Sequence, residues 1–437
     1  MFDEHTFFFM PQNGGISYKA KNYQLLDNKD YAYMVRTTDL ETKNYTDNVK
    51  YISKQSYDFL SKSKVFGGEV LINKIGSPGR TFLMPRLDIP VSLGMNLFLL
   101  RLKSNGTIDE PTLWLYLNTE FGKTIIQRKI NGTVPLTIDK MAIKSIYTPV
   151  FSCEFRKILS GIVESIYSNE KVANELYVAA NNTLNTSLGI NIFNKKFSFK
   201  SIKNLSQSFG VAGRLDAEYY QPKYDALFSR LWEFETKPLG GINGIVSIKK
   251  SIEPGSDTYQ DKGIPFVRVS DVSKFKISQP EIYLSENVVQ NISELYPKKD
   301  TILFSKDGSV GIAYKMEEDK KMITSGALLH LTVRNASVVI PDYLTLVLNS
   351  LVVKLQAERD SNGAIIQHWK PSEIENVVIP ILDISIQEEI AAKVQKSFAL
   401  RRQSEQLFED AKQAVEIAIE QDEKTALEWL EETGVEV

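Results

Sequence analysis

Few side chains in this sequence could carry covalent chemistry. There are three histidines, His5, His330 and His368, and one cysteine, Cys153. That is too little soft ligand for a zinc ribbon or finger. A lone cysteine closes no intrachain disulfide and suggests a reducing compartment. None of the histidines has a nucleophile motif beside it. His330 lies in an apolar strand-like run and reads as a core residue, whereas His368 falls in a loop. Metal-assisted hydrolysis would need clustered carboxylates with a lysine. Pro341-Asp342 and Asp422-Glu423-Lys424 have suitable types, but the first marks a helix start and the second a solvated acidic helix. Gly122-Lys123-Thr124 ends like a phosphate-binding loop, yet no glycine stands five residues earlier. Methyl transfer to a flipped adenine would need a Pro-Pro-aromatic loop after a Gly-rich cofactor loop. No Pro-Pro dipeptide occurs, and Gly240-Gly241-Ile242-Asn243-Gly244 is a bare loop-like cluster.

The scaffold is easier to read than the chemistry. The 437 residues are long enough for two to four domains, and 43% hydrophobic with 24% charged residues is an ordinary globular mix. With 52 basic and 54 acidic residues the formal charge is −2, which gives no bulk signal for nucleic acid. No basic and apolar leader opens the chain, and the most apolar run, Tyr343 to Leu355, is too short to span a bilayer. A cytoplasmic protein without membrane contact is expected.

An internal repeat organises the chain. Tyr33–Leu40 reads against Pro265–Val272, Tyr51-Ile52-Ser53 against Tyr283-Leu284-Ser285, and Val70–Gly79 against Ile302–Gly311, all at an offset of 232. The offset then becomes 231: Leu117-Asn118-Thr119 with Leu348-Asn349-Ser350, Asn131-Gly132 with Asn362-Gly363, and Pro149 with Pro380. A constant offset over such a span implies duplication. Each copy predicts strands at Tyr33–Leu40, Glu69–Lys74 and Met95–Leu102, or Ile264–Val272, Thr301–Ser305 and Ala327–Val333. A short helix near Pro111 or Pro341, a Gly-containing loop and a small β element ending at Pro149 or Pro380 follow. A long helix closes each copy. Leu159, Val163 and Ile166, like Ile390, Val394 and Phe398, recur at three- and four-residue spacing among charged residues, a narrow stripe suited to a coiled coil. The plainer alternative lays each helix on its own β-rich domain.

Four segments follow one another in the second copy: Ile264–Asp271, Ile302–Gly311, Asn362–Gln367 with Val378-Ile379-Pro380, and Ile386-Gln387-Glu388-Glu389-Ile390, with Gly213–Tyr220 leading in. In this order they resemble the specificity subunit of type I DNA restriction–modification systems. The first copy has no counterpart of that lead-in. The resemblance implies an α+β chain with two duplicated β-rich target recognition domains, at 1–150 and 201–380. Two long antiparallel coiled-coil helices, in 151–200 and 381–437, separate them in a pseudo-twofold arrangement. It also implies a non-catalytic reader of a bipartite double-stranded DNA target. Such a chain docks two methyltransferase subunits and restriction/translocase subunits. No cofactor is expected in this chain; S-adenosylmethionine belongs to the methyltransferase partners. The competing readings are a bifunctional methyltransferase/endonuclease, a DNA reader of a related methylation-based phage-defence system, and a scaffold that binds no DNA.

DNA readers hold phosphates with Lys and Arg and discriminate bases with groove-facing side chains. The glycine loops are the natural platforms: Asn73, Lys74, Ser77 and Arg80 in one copy, Ser305, Lys306, Asp307 and Ser309 in the other. Lys74 and Lys306 are equivalent, as a shared phosphate role requires, while Asn73/Ser305 and Ile75/Asp307 differ, as two different half-sites require. The plainer reading is a tight turn with a surface lysine. A second platform offers Gln367 and His368 to base edges and Lys370 to a phosphate, unless the loop serves to pack Trp369. Arg36 with Asp39, and Arg268 with Asp271, read as internal ion pairs. Lys195, Lys196, Lys200 and Lys203 meet DNA between half-sites or form a basic linker. The near-neutral total hides an asymmetry: residues 385–437 carry 13 acids and 6 bases, net −7, against +5 for residues 1–384. Such a weak excess suits a reader that borrows electrostatic affinity from its partners.

Overall fold

Val70-Leu71-Ile72 and Ile302-Leu303-Phe304 are apolar at every position. A strand built from such a run alternates its side chains between two faces, so both faces must be covered. In the computed structural model both runs are strands, Val70–Asn73 and Ile302–Ser305, buried at every residue. The structure describes residues 7–9, 24–43, 45, 49–102, 107–190, 200–287, 292–361 and 367–435. They divide into two units, residues 1–171 with 401–437, and residues 172–400.

In the first unit an antiparallel sheet has the order Phe7–Phe9, Leu97–Leu102, Val70–Asn73, Thr81–Leu83. A second sheet orders Lys50–Ile52, Ala32–Val35, Val91–Leu93 and Lys64–Val65, with Ala32–Val35 and Val91–Leu93 parallel. Leu71, Leu97 and Leu99 pack with Tyr33, Val35 and Leu93 of the second sheet. On the other face Val70, Ile72 and Leu100 pack on Leu113, Tyr116 and Ile126 of the helices Glu110–Asn118 and Glu120–Gln127.

The second unit has the same plan. Val246–Lys250, Leu328–Val333, Ile302–Ser305 and Ala313–Lys315 form an antiparallel sheet. Tyr259–Gln260, Tyr283–Leu284, Ile264–Val267 and Ile323–Thr324 form the other, whose last pairing is parallel. Leu303 and Leu328 face Val267, whereas Ile302, Phe304, Leu329 and Leu331 face the helices Pro341–Leu348 and Leu351–Asp360. Both Pro111 and Pro341 stand in the first turn of a helix, where a missing N–H costs nothing.

The predicted strands Tyr33–Leu40 and Ile264–Val272 end early, at Val35 and Val267. The Asp39 carboxylate accepts the Arg36 backbone N–H at 2.8 Å, and Asp271 accepts that of Arg268 at 2.8 Å. This local cap turns the chain into a helix, Thr37–Thr42, and a 3-10 turn, Val269–Asp271. The expected ion pairs complete it, at 2.6 Å for Arg36–Asp39 and 3.6 Å for Arg268–Asp271. Val378–Pro380 is a strand, but residues 146–150 are not. Its partner in the second copy, Thr236–Pro238, comes from the lead-in segment.

The long helices span Cys153–Leu188 and Ile384–Glu420, and each unit contains part of both. In the first unit Phe155, Leu159, Val163 and Ile166 share a core with Ala411, Ala414 and Val415. The Ser404 hydroxyl donates to the Ile166 carbonyl at 3.2 Å. In the second, Ala180, Leu184 and Leu188 share a core with Ile390, Val394 and Phe398. There Ser397 donates to the Ala173 carbonyl at 2.6 Å and Thr183 to Glu389 at 3.3 Å, so the two segments run antiparallel in this unit. Among the described residues no helix is long and apolar enough to cross a membrane.

Candidate nucleic-acid interface

Each central strand ends in a Gly-x-x-Gly turn, and the two turns have the same wiring. Asn73 N–H donates to Arg80 O at 2.8 Å, Gly79 N–H to Asn73 O at 2.9 Å, and Lys74 N–H to Asn96 O at 2.7 Å. The counterparts are Ser305 to Ile312 at 2.9 Å, Gly311 to Ser305 at 2.9 Å and Lys306 to Ala327 at 2.9 Å. Gly76 and Gly308 sit at φ of 91° and 73°, which favours glycine, and a Cβ there would meet open space.

Asn73 and Ser305, expected at base edges, hold these turns from inside. They are 2% and 0% exposed. Asn73 Nδ2 donates to Ser77 O at 2.9 Å, and Ser305 Oγ donates to Ser309 O at 2.5 Å while accepting from Ile312 N–H at 2.8 Å. Different side chains thus perform the same brace. The signal was present in the strand pattern, since both follow a run already buried on both faces. Ser77 and Ser309 are exposed at the tips. Arg80 is largely exposed and bonds Glu41 at 2.6 Å. Lys74 lies half-buried with its ammonium 5.8 Å from the Phe98 ring centre.

In the second copy the fold joins the two platforms that are 61 residues apart in sequence. Asp307-Gly308 pairs antiparallel with Gln367-His368, Asp307 opposite His368 and Gly308 opposite Gln367. Trp369 N–H donates to Lys306 O at 2.8 Å, and the Trp369 ring, 1% exposed, packs beside Phe304. Trp369 is therefore an anchor that leaves Gln367, His368 and Lys370 outside. The Asp307 carboxylate pairs with Lys306 and accepts from His368 Nδ1 at 2.9 Å. Lys370 is 69% exposed and 3.8 Å from Glu373. Residues 362–366 of this platform lie outside the described residues. In the first copy the equivalent pairing is the bridge between Ile75 and Thr137, with Ile138 N–H donating to Lys74 O at 3.2 Å.

The residues weighed for catalysis have structural partners. His330 Nε2 meets the Thr324 hydroxyl at 2.8 Å, and burial, with Lys249 nearby, pulls its pKa down to about 4. Asp342 is 4% exposed, 3.1 Å from Lys315 Nζ, and accepts from Gln395 at 2.8 Å. Asp422 caps the helix Glu423–Glu432 by accepting the Thr425 N–H at 2.8 Å, and Glu423 accepts the Ser152 N–H at 2.8 Å. No group of three or more His, Cys, Asp or Glu among the described residues could hold a metal ion. Lys200 is exposed and Lys203 pairs with Asp225 at 2.7 Å; Lys195, Lys196 and His5 lie outside the described residues.

Each of the two β-rich units presents a braced turn with an exposed tip. Residues 232–407 match the family described as type I restriction modification DNA specificity domain. Among solved structures the chain is similar to the S subunit of the type I restriction-modification system from M. genitalium, at 13% identity. That alignment covers 97% of this chain and 93% of that one, with a TM-score of 0.37. The HsdS subunit from Thermoanaerobacter tengcongensis matches at 15% identity over 95% of both chains, with a TM-score of 0.29. A chain from a structure on complex assembly and conformational transition of the type I R-M system matches at 14% identity, also over 95% of both, with a TM-score of 0.31. No curated protein matches the chain.

Proposed function

We propose that this chain is the sequence-specific DNA-recognition subunit of a type I restriction–modification complex. Residues 1–150 and 201–380 would be duplicated recognition domains, each reading one half of a bipartite target. Residues 151–200 and 381–437 would supply the paired coiled-coil helices that dock two methyltransferase subunits and the restriction/translocase subunits. The observation that carries this reading is the braced turn: the specificity-domain match covers only residues 232–407, yet the same hydrogen bonds recur in the first copy. The chain acts without chemistry of its own in the cytoplasm, and the methyltransferase partners bind S-adenosylmethionine.

In this reading Ser77, Arg80, Ser309, Gln367, His368 and Lys370 approach the duplex, Lys74 and Lys306 face phosphates, and Asn73 and Ser305 act by shaping the turns. The mild positive excess of residues 1–384 supplies part of the phosphate attraction. Methylation mapping in cells carrying this chain and its neighbouring methyltransferase tests the proposal. A bipartite motif should vanish when this chain is deleted. Exchange of residues 263–370 between relatives should alter one half of the motif. A motif that survives deletion, or methylation by the purified chain without partners, would overturn it.

A further inference from the structure

The two copies differ most informatively where Asp307 faces His368 and, at the equivalent ladder position, Ile75 faces Thr137. The backbone is the same; the chemistry is not. We infer that the Asp307–His368 pair is a base-reading dyad that sets one position of the half-site read by the second module. The inference rests on the proposed function and names where its specificity lies.

The argument is geometric. His368 is 63% exposed, while Asp307, opposite it on the paired strand, is 23% exposed. A carboxylate accepts only, so His368 Nδ1 is the donor in their 2.9 Å bond. In the neutral ring this leaves Nε2 as a hydrogen-bond acceptor, and among the described residues it has no partner. An oriented acceptor on an exposed turn complements an exocyclic amino group, the N6 amine of adenine or the N4 amine of cytosine, in a major groove. Lys306 pairs with the same carboxylate and offsets the charge that would otherwise repel phosphate. Gly308, with open space where a Cβ would be, lets the backbone beside the dyad come close to a duplex. The Ile75–Thr137 pair offers a methyl-bearing surface instead, suited to a thymine methyl. Neither pair is needed to close its turn, because Asn73 and Ser305 do that.

Selection of bound duplexes from a random pool, using the complex assembled with its methyltransferase subunits, tests this. Wild-type protein should show adenine or cytosine at the position concerned. His368→Ala should reduce that preference about tenfold, at that position only, with the other half-site and the spacer unchanged. Asp307→Asn, which loses the charged acceptor but keeps the size, should weaken the same position. The double change Asp307→Ile with His368→Thr should shift it toward thymine. An unchanged motif in His368→Ala, or relaxation spread over both half-sites, would overturn the dyad. Absence of any bipartite motif with wild-type protein would instead overturn the functional reading beneath it. Because His368 is exposed, its substitution leaves the fold intact, which the wild-type hydrogen-exchange pattern of the variant verifies.

Discussion

Replacing Lys315 by methionine should loosen the second unit and leave the first untouched. The Lys315 ammonium lies 3.1 Å from Asp342, 3.3 Å from Glu317 and 3.3 Å from Asp300, and its side chain is 9% exposed. Asp342 is 4% exposed, and its other side-chain donor among the described residues is the neutral amide of Gln395 on the second long helix, at 2.8 Å. Lys315→Met keeps the stem and strands a buried carboxylate, a loss of about 3–5 kcal/mol. In amide hydrogen exchange this corresponds to roughly 100- to 4000-fold faster opening, at 1.4 kcal/mol per decade. The strands Ile302–Ser305 and Leu328–Val333 should report it, while Val70–Asn73 serves as an internal control. Burial lowers the Lys315 pKa, but attraction from Asp342, then Glu317 and Asp300, more than offsets it, and the net shift is upward. A raised folded-state pKa means the contribution is complete below the unfolded value of about 10.4 and is lost as pH rises through the folded one. The double variant Lys315→Met with Asp342→Leu should recover most of the protection. Exchange within threefold of wild type in Lys315→Met would refute the claim that this ion cluster holds the sheet to its helix.

Three further outcomes are expected. His330, with its pKa pulled down to about 4, is neutral in the fold; the unfolded chain binds the extra proton, so stability falls as pH drops from about 6.5 to 4, by roughly 3 kcal/mol. An NMR titration of the ring, compared with the stability profile of His330→Asn, checks this. Asn73→Ala and Ser305→Ala should each cost about 1 kcal/mol, because part-buried turn carbonyls or amides lose their partner; thermal unfolding of each variant measures it, and equal stability to wild type would remove the brace. Gly76→Ala and Gly308→Ala should cost about 1 kcal/mol from the positive φ alone, since no atom opposes the new methyl; urea titration at constant slope decides.

Much of the architecture was legible. The repeat offset marked equivalent segments, the all-apolar runs marked doubly covered strands, and the three- and four-residue spacing marked both long helices. These signals survive in one dimension because they are periodic. The candidate site was legible only in outline. Lys74 and Lys306 were placed on equivalent turns, but the burial of Asn73 and Ser305 depended on sheets packed to either side of their strands. Arg36 and Asp39 formed the expected pair, yet their cap ended a strand that the β-rich composition would have continued.

By itself the sequence determined that the chain is a repeat, where its glycine turns and two long helices fall, and that its catalytic motifs are incomplete. Those properties follow from local residue types and their spacing. Only the tertiary structure decided that Asp307 meets His368, that Trp369 anchors the loop between them, and that Lys315 gathers three carboxylates. A contact between positions 61 residues apart costs loop-closure entropy and forms only when the strands around it are already packed. No local pattern encodes that packing, and it is where the two halves acquire their different chemistry.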